Sequence, residues 1–239
     1  MTTVGDGLTA QCGNWSFSGS TVNSFDDHVS KSVPLYLEGH DLICDLSDFF
    51  ISRDSICYEI GCSTGTLTLK LAEHNLNKPQ ARFIGLDIEE DMIAKAASKH
   101  AANQHLNVSF VADDVTQAEL QPSDMIVCYY TIQFIRPSVR QALINKLYDT
   151  LNWGGALLFF EKVRGADARF QDIISTLYND YKLRRGYTSE EIISKARSLK
   201  GVLEPFSTQG NIDMLRRAGF TDINTVQKYL CFEGFLAIK

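Results

Sequence analysis

No histidine follows His105 in this 239-residue chain, no two cysteines are spaced as C-x-x-C, and no apolar run is long enough to cross a bilayer. Each absence removes a class of function. The six cysteines (Cys12, Cys44, Cys57, Cys62, Cys128, Cys231) are scattered, and three of them, Cys57, Cys128 and Cys231, sit in apolar, strand-like runs. That pattern fits buried, reduced thiols in a cytoplasmic setting rather than a disulfide frame or a zinc site, and no metal is expected. The longest apolar runs, such as Ala156–Phe160, fall far short of the roughly 20 residues a membrane helix needs. Residues 1–24 lack a basic start followed by an apolar core, so no signal peptide is expected there. An excess of positive charge is missing too. The formal net charge is -6, which argues against direct nucleic-acid binding. No internal repeat or low-complexity linker interrupts the chain. What is left, 44% hydrophobic and 22% charged, is ordinary for a globular protein with a sizeable core, and one domain over 1–239 is expected.

Residues 1–30 are rich in Gly, Ser, Thr and Asn, with Trp15, Phe17 and Phe25 embedded. They read as a mobile arm that folds onto something. From Leu35 an apolar stripe (Leu42, Ile43, Leu46, Phe49, Phe50) recurs at helical spacing. Strand-like runs then appear at 55–60, 81–86, 107–112, 124–130 and 155–161, with helical patterns at 65–74, 89–105 and 138–151. The runs are nearly continuous in apolar residues, as in parallel strands buried on both faces. Strands alternating with helices imply an open α/β sheet. After Glu161 two amphipathic helices, at 167–183 and 188–200, follow each other without a strand, which predicts a helical cap inserted over 165–205. A helix at 210–218, Gly219 as its stop, and strands at 222–230 and 234–239 complete the pattern.

The stretch Ile56-Cys57-Tyr58-Glu59-Ile60-Gly61-Cys62-Ser63-Thr64-Gly65 reads as strand, Gly-rich turn and helix start. It fits the G-x-S-x-G elbow of serine hydrolases and also a degenerate nucleotide-binding turn. The elbow needs a histidine late in the chain, and none lies beyond His105. A nucleoside cradle needs a carboxylate at the end of the next strand, about 20 residues on, and Ile84-Gly85-Leu86-Asp87 supplies it. Asp87 would accept from the ribose hydroxyls, though Asp is also a good cap for the helix that follows.

A dinucleotide fingerprint wants Gly where Ser63 stands. Instead the turn is ringed by Glu59, Asp87 and Asp113-Asp114, which repel a pyrophosphate and suit a cation. S-adenosyl-L-methionine, a phosphate-free sulfonium nucleoside, fits. Its methionine part would lie against the Gly61–Gly65 backbone, and Asp114 would face the adenine amino group. The pattern resembles the class I methyltransferase superfamily. That resemblance implies a Rossmann-like sheet, mostly parallel with an antiparallel C-terminal strand, helices on both faces and the helical cap. The expected cofactor set is Tyr36, Glu59, Gly61, Cys62, Ser63, Gly65, Asp87, Ile88, Met92, Asp114, Val115 and Tyr129.

Further stretches are collinear with one family. Ser32-Val33-Pro34-Leu35-Tyr36, Thr131-Ile132-Gln133-Phe134, Arg140-Gln141-Ala142-Leu143, Leu151-Asn152-Trp153-Gly154-Gly155-Ala156-Leu157, Glu161-Lys162, Gly186-Tyr187 and Ile193-Ser194-Lys195-Ala196-Arg197-Ser198 resemble the carboxy-S-adenosyl-L-methionine synthase family from about residue 15 onward. That family uses S-adenosyl-L-methionine and prephenate to make a carboxylated sulfonium, which a partner enzyme uses on the wobble uridine of tRNA. The resemblance implies that Tyr36 and Arg197 hold the added carboxylate, and that the cap region takes part in a homodimer. The chain departs from the family at Tyr129, where the pattern has Asn, and at Glu59, where it usually has Asp.

The principal reading is therefore methyl transfer from S-adenosyl-L-methionine to a small-molecule acceptor by in-line displacement. Tyr129 and His28 are the candidate bases or acceptor-orienting groups. Tyr129 could instead contact the sulfonium through its ring, or simply pack. Carboxy-S-adenosyl-L-methionine synthesis with prephenate stays open, as does an inert S-adenosyl-L-methionine-binding subunit of a larger complex. Lys182, Arg184, Arg185, Lys195 and Lys200 could form a basic patch near the cap, although a solvated helix face is the favoured reading.

Overall fold

The computed structural model describes residues 2–6, 8–13, 15–19 and 21–239. A short antiparallel hairpin, β1 (Thr2–Gly5) and β2 (Leu8–Ala10), precedes α1 (Thr21–Ser32) and α2 (Tyr36–Ser47). Then come β3 (Ile56–Ile60), α3 (Thr66–His74), β4 (Arg82–Asp87), α4 (Glu90–Ala101), β5 (Val108–Ala112) and β6 (Ser123–Tyr129). A single 3-10 turn (Ile132–Phe134) leads to α5 (Pro137–Thr150) and β7 (Leu151–Lys162). The cap is α6 (Ala168–Arg184) and α7 (Ser189–Ser198). The remaining elements are α8 (Thr208–Ala218), β8 (Asp222–Tyr229) and β9 (Phe232–Ile238).

The sheet runs β5-β4-β3-β6-β7-β9-β8. Strands β3 to β7 are parallel, and β9 is antiparallel to both β7 and β8. The chain builds outward from β3 in one direction through β5, then returns to lay β6 and β7 on the other side. The crevice at that reversal, beyond the carboxyl ends of β3 and β6, is where ligands bind in open sheets.

The central strands are buried on both faces, which explains their unbroken apolar sequence. In β6 and β7, Ile126, Cys128, Leu157 and Phe159 pack against Ile144 and Leu147 of α5 and Leu215 of α8. Their neighbours Met125, Val127, Leu158 and Phe160 pack the other way, with Ile43 of α2 and Leu67 and Leu71 of α3. Each such side chain contributes about 1.5–3 kcal/mol by leaving water. The six cysteines are free thiols, and all but Cys12 are buried.

Three expectations change. Residues 21–30, expected within a mobile arm, lie in α1. Phe49, counted in the stripe of α2, lies beyond that helix and is 82% exposed. The helix expected over 89–105 stops at Ala101, where the Asn103 amide caps the Lys99 carbonyl. Among the described residues no helix is long and apolar enough to cross a membrane.

Candidate functional site

The tip of β3 shapes the cradle. Gly61 takes φ +73°, and both its N–H and that of Cys62 donate to the Leu86 carbonyl, 2.7 and 3.0 Å away. A Cβ on Gly61 would stand 2.4 Å from the Thr131 methyl, so only glycine fits. Ser63 also holds a left-handed φ of +48°, a strain of about 1–3 kcal/mol that the surroundings must offset. Part of that offset is visible: the Ser63 N–H donates to Asp87 at 2.8 Å. Gly65 caps α3 beneath Phe110 and is not part of the cavity wall.

The cavity above this turn has a volume of about 1030 Å³ and is lined by Tyr36, Glu59, Gly61, Cys62, Ser63, Asp87, Ile88, Met92, Asp114, Val115 and Tyr129. The structure thus brings together every expected cofactor residue but Gly65. Asp87 accepts one backbone N–H on each oxygen, from Ser63 and from Glu89 at 3.0 Å. A carboxylate has about four acceptor sites, so lone pairs remain for two hydroxyls. Asp114 is tied by the Thr116 N–H at 2.9 Å, and Ile88 stands 65% exposed beside it in the cavity wall. Glu59 is buried and accepts from the Thr68 hydroxyl. No cation pairs with it among the described residues. Burial pushes its carboxyl up to about 8, with a smaller push from Asp87.

The opposite wall is aromatic and basic. Tyr129 packs against Tyr36, Tyr130 and Phe160, with ring centroids 5.1, 4.7 and 5.0 Å away. Its phenol donates to the Tyr36 carbonyl at 2.6 Å and is not free to act as a base. Lys162 at the end of β7, Lys182 of α6 and Lys195 of α7 all line the cavity. Glu59, Asp87 and Asp114 thus come from the β3–β5 side and Lys162, Lys182 and Lys195 from β7 and the cap, where Glu191 and Glu204 also line the cavity.

The amino-terminal segment closes over both. Trp15, Phe17 and Phe25 line the cavity, and Phe17 meets Phe134 edge-on with centroids 4.9 Å apart. Asp26 of α1 accepts from Thr64 of the Gly-rich turn at 2.7 Å and pairs with Lys99 at 2.7 Å. Lys99 also donates to Thr64 and Thr66. His28 lies buried in the same wall. Its Nδ1 is 2.7 Å from Asp6, and its Nε2 is 2.7 Å from the Lys195 ammonium nitrogen. Tyr187 and Lys31 also donate to Asp6, at 2.7 and 2.8 Å. Burial, reinforced by Lys195, lowers His28 to about 4, and burial lowers Lys195 to about 6. Both ring nitrogens of His28 are engaged.

Arg197 is the residue the structure does not bring in. It is exposed on α7 and lines no part of the cavity. Its place on the short helix α7 turns it outward, whereas Lys195, two residues earlier, turns inward. Lys182 and Lys195, expected on a solvated helix face, line the cavity instead, and Asp26, Lys99, Lys162 and Tyr130 are functional candidates that only the structure brings forward. The nearest signal was Lys162 at the carboxyl end of a buried strand.

A methyltransferase domain family model matches residues 58–157. Curated relatives named carboxy-S-adenosyl-L-methionine synthase match nearly the whole chain. The one from Staphylococcus epidermidis is 36% identical over 226 residues, 94% of this chain and 97% of the relative. The one from Nautilia profundicola is 37% identical over 223 residues, 93% of this chain and 94% of the relative. Among solved structures, magnesium protoporphyrin IX methyltransferase from Synechocystis, with bound SAH, superposes with a TM-score of 0.65 at 14% identity, over 93% of this chain and 96% of that one. The S-adenosylmethionine-dependent methyltransferase SibL gives a TM-score of 0.64 at 17% identity, over 98% of this chain and 63% of that one. These two share the fold, a Rossmann-like class I methyltransferase sheet.

Proposed function

The chain belongs to the carboxy-S-adenosyl-L-methionine synthase family, and from that premise we propose that it moves a carboxyl group from prephenate onto the methyl carbon of S-adenosyl-L-methionine. The coarser statement, an S-adenosyl-L-methionine-dependent transferase, holds for the family as a whole. The observation that carries the finer reading is the division of charge in the cavity. Carboxylates at the tips of β3 to β5 suit a sulfonium nucleoside, and Lys162 and Lys182 suit an anionic donor beside it. A plain methyl acceptor needs no basic wall. The volume of about 1030 Å³ is ample for two small ligands together.

The residues present fit the cofactor. Glu59 is a buried carboxyl with no cationic partner among the described residues, and Asp87 keeps acceptor sites for the ribose. When bound, S-adenosyl-L-methionine would supply a methyl group whose C–H bonds the adjacent sulfonium acidifies. The chain contributes alignment of the two ligands in a dry site, an effect that reaches about 7–11 kcal/mol. The carboxyl group and the ring hydroxide leave prephenate as its ring becomes aromatic, and the departing hydroxide is the acceptor for the proton that the methyl carbon gives up. Neither Tyr129 nor His28 is placed to take it, since the phenol donates to a carbonyl and both imidazole nitrogens are occupied.

The proposal extends to a cytoplasmic homodimer joined through the cap. Helix α6 buries none of its residues and exposes Phe170, Ile173 and Leu177. Ile193 and Arg197, one turn apart, share an exposed side of α7. Arg197 would then hold a carboxylate in the partner's cavity, since it does not reach its own. Methyl transfer to a small acceptor is the second reading, and Tyr129 favours it. The ring stands at the tip of β6 in the cavity wall, where it could meet a sulfonium for about 0.5–2 kcal/mol.

The test is direct. Purified protein is incubated with S-adenosyl-L-methionine and prephenate, and the small molecules are released by denaturation for mass spectrometry. A sulfonium nucleoside heavier by one carboxyl group is expected. Demethylated cofactor with no carboxylated product would overturn the reading.

A further inference from the structure

At the inner end of the basic wall, three hydrogen-bond donors have no acceptor among the described residues. Lys162 places its ammonium 4.6 Å from the centre of the Tyr178 ring and 5.9 Å from that of Phe232. Lys182, one turn along α6 from Tyr178, places its ammonium 4.4 Å from the same ring. Among the described residues neither ammonium has a carboxylate within salt-bridge distance. The third donor is Tyr130. It is 7% exposed, holds a left-handed φ of +61°, and its hydroxyl is buried without a partner. Tyr130 and Tyr178 each meet Phe232 with centroids 5.8 and 5.2 Å apart, so the three donors share one aromatic box. All five side chains line the cavity.

This arrangement is costly as it stands. Both lysines are half-buried, and an ammonium drawn out of water without a partner is expensive. Two of them against one ring also repel each other, and cation–π contact offsets only part of that cost. Burial lowers both, Lys182 to about 8 with Lys162 adding to the effect. An anion in the box would satisfy all three donors at once.

We propose that Lys162, Lys182 and Tyr130 form a receptor for one carboxylate of a ring-bearing carboxylic acid, with Tyr178 and Phe232 as the apolar wall for its ring. The inference deepens the proposed function, on which its biological meaning rests, by giving the carboxyl donor a seat made of this chain's own residues. Tyr178 is fixed for the task by its hydroxyl, which donates to the Ser32 carbonyl at 2.9 Å.

The experiment is calorimetry on the full chain saturated with S-adenosylhomocysteine, titrated with 3-phenylpropionate or with its uncharged amide. The acid is expected to bind about tenfold or more tightly than the amide, the scale of a charge-assisted hydrogen bond. Lys182→Met should weaken the acid about tenfold while leaving the amide and S-adenosylhomocysteine unchanged. Tyr130→Phe should weaken the acid severalfold yet raise the melting temperature, because it removes a buried hydroxyl that has no partner. Acid and amide binding alike or not at all, or an acid affinity indifferent to Lys182→Met, would overturn the receptor. Should these results hold while the product assay shows no carboxylated nucleoside, the receptor stands and the proposed reaction falls.

Discussion

The Tyr129 phenol donates a hydrogen bond to the backbone carbonyl of Tyr36, and the two rings sit 5.1 Å apart. This contact pins the tip of β6 to the first turn of α2. It also explains a glycine inside that helix: a Cβ on Gly39 would lie 2.2 Å from the Tyr129 oxygen. Tyr129 is thus accommodated by packing. Tyr129→Phe is expected to cost about 1 kcal/mol of stability in urea denaturation. Product formation should stay within about threefold, whereas loss of a working base would cost about 10²–10⁴-fold.

Gly61 tests the cradle itself. Gly61→Ala forces an unfavourable backbone conformation and drives a methyl group into Thr131. Thr131 cannot easily move, because its hydroxyl donates to the Ile60 carbonyl at 2.7 Å. Calorimetry with S-adenosylhomocysteine should show at least a tenfold loss of affinity, about 1.4 kcal/mol.

Glu59 carries a pH signature. Its carboxyl rises in the folded chain from 4.5 to about 8, chiefly through burial. Between those values the folded protein keeps a proton that the unfolded chain has released. Ligand-free stability contributed by this group is therefore present below pH 4.5 and is lost as pH rises through 8. Glu59→Gln has no such loss, so denaturation midpoints should favour the variant increasingly from pH 5 to pH 8 and then level off. The same substitution should weaken binding of S-adenosyl-L-methionine.

Lys99 reports on the closed arm. Its ammonium joins Asp26 of α1 to Thr64 and Thr66 at distances of 2.7 to 2.8 Å. The pair is partly exposed, so its contribution to stability is about 1 kcal/mol or less. Lys99→Met should accelerate amide exchange over 21–32 and reduce S-adenosylhomocysteine affinity severalfold, with the sheet amides unchanged.

The sheet was legible because its central strands are buried on both faces and its helices are long enough to show a stripe. Helix α1 was not, since Thr21, Val22, Asn23, Ser24 and Phe25 are weak helix formers and its position depends on contacts with the Gly-rich turn and the cap. Glu59, Asp87 and Asp114 could be found because parallel strands bring their carboxyl ends to one edge. Lys162 and Tyr130 could not, because a missing partner is a property of the folded neighbourhood and leaves no trace in the chain. Arg197 shows the opposite failure: its residue type suits a carboxylate, yet the turn of α7 aims it outward.

The edge-on contact between Phe17 and Phe134 has a kinetic consequence. Both rings line the cavity, and a nucleoside path that runs between them requires them to part. Departure of the spent nucleoside then waits on the swing of the covering segment, so a steady-state rate that falls with solvent viscosity would mark that swing as the slow step.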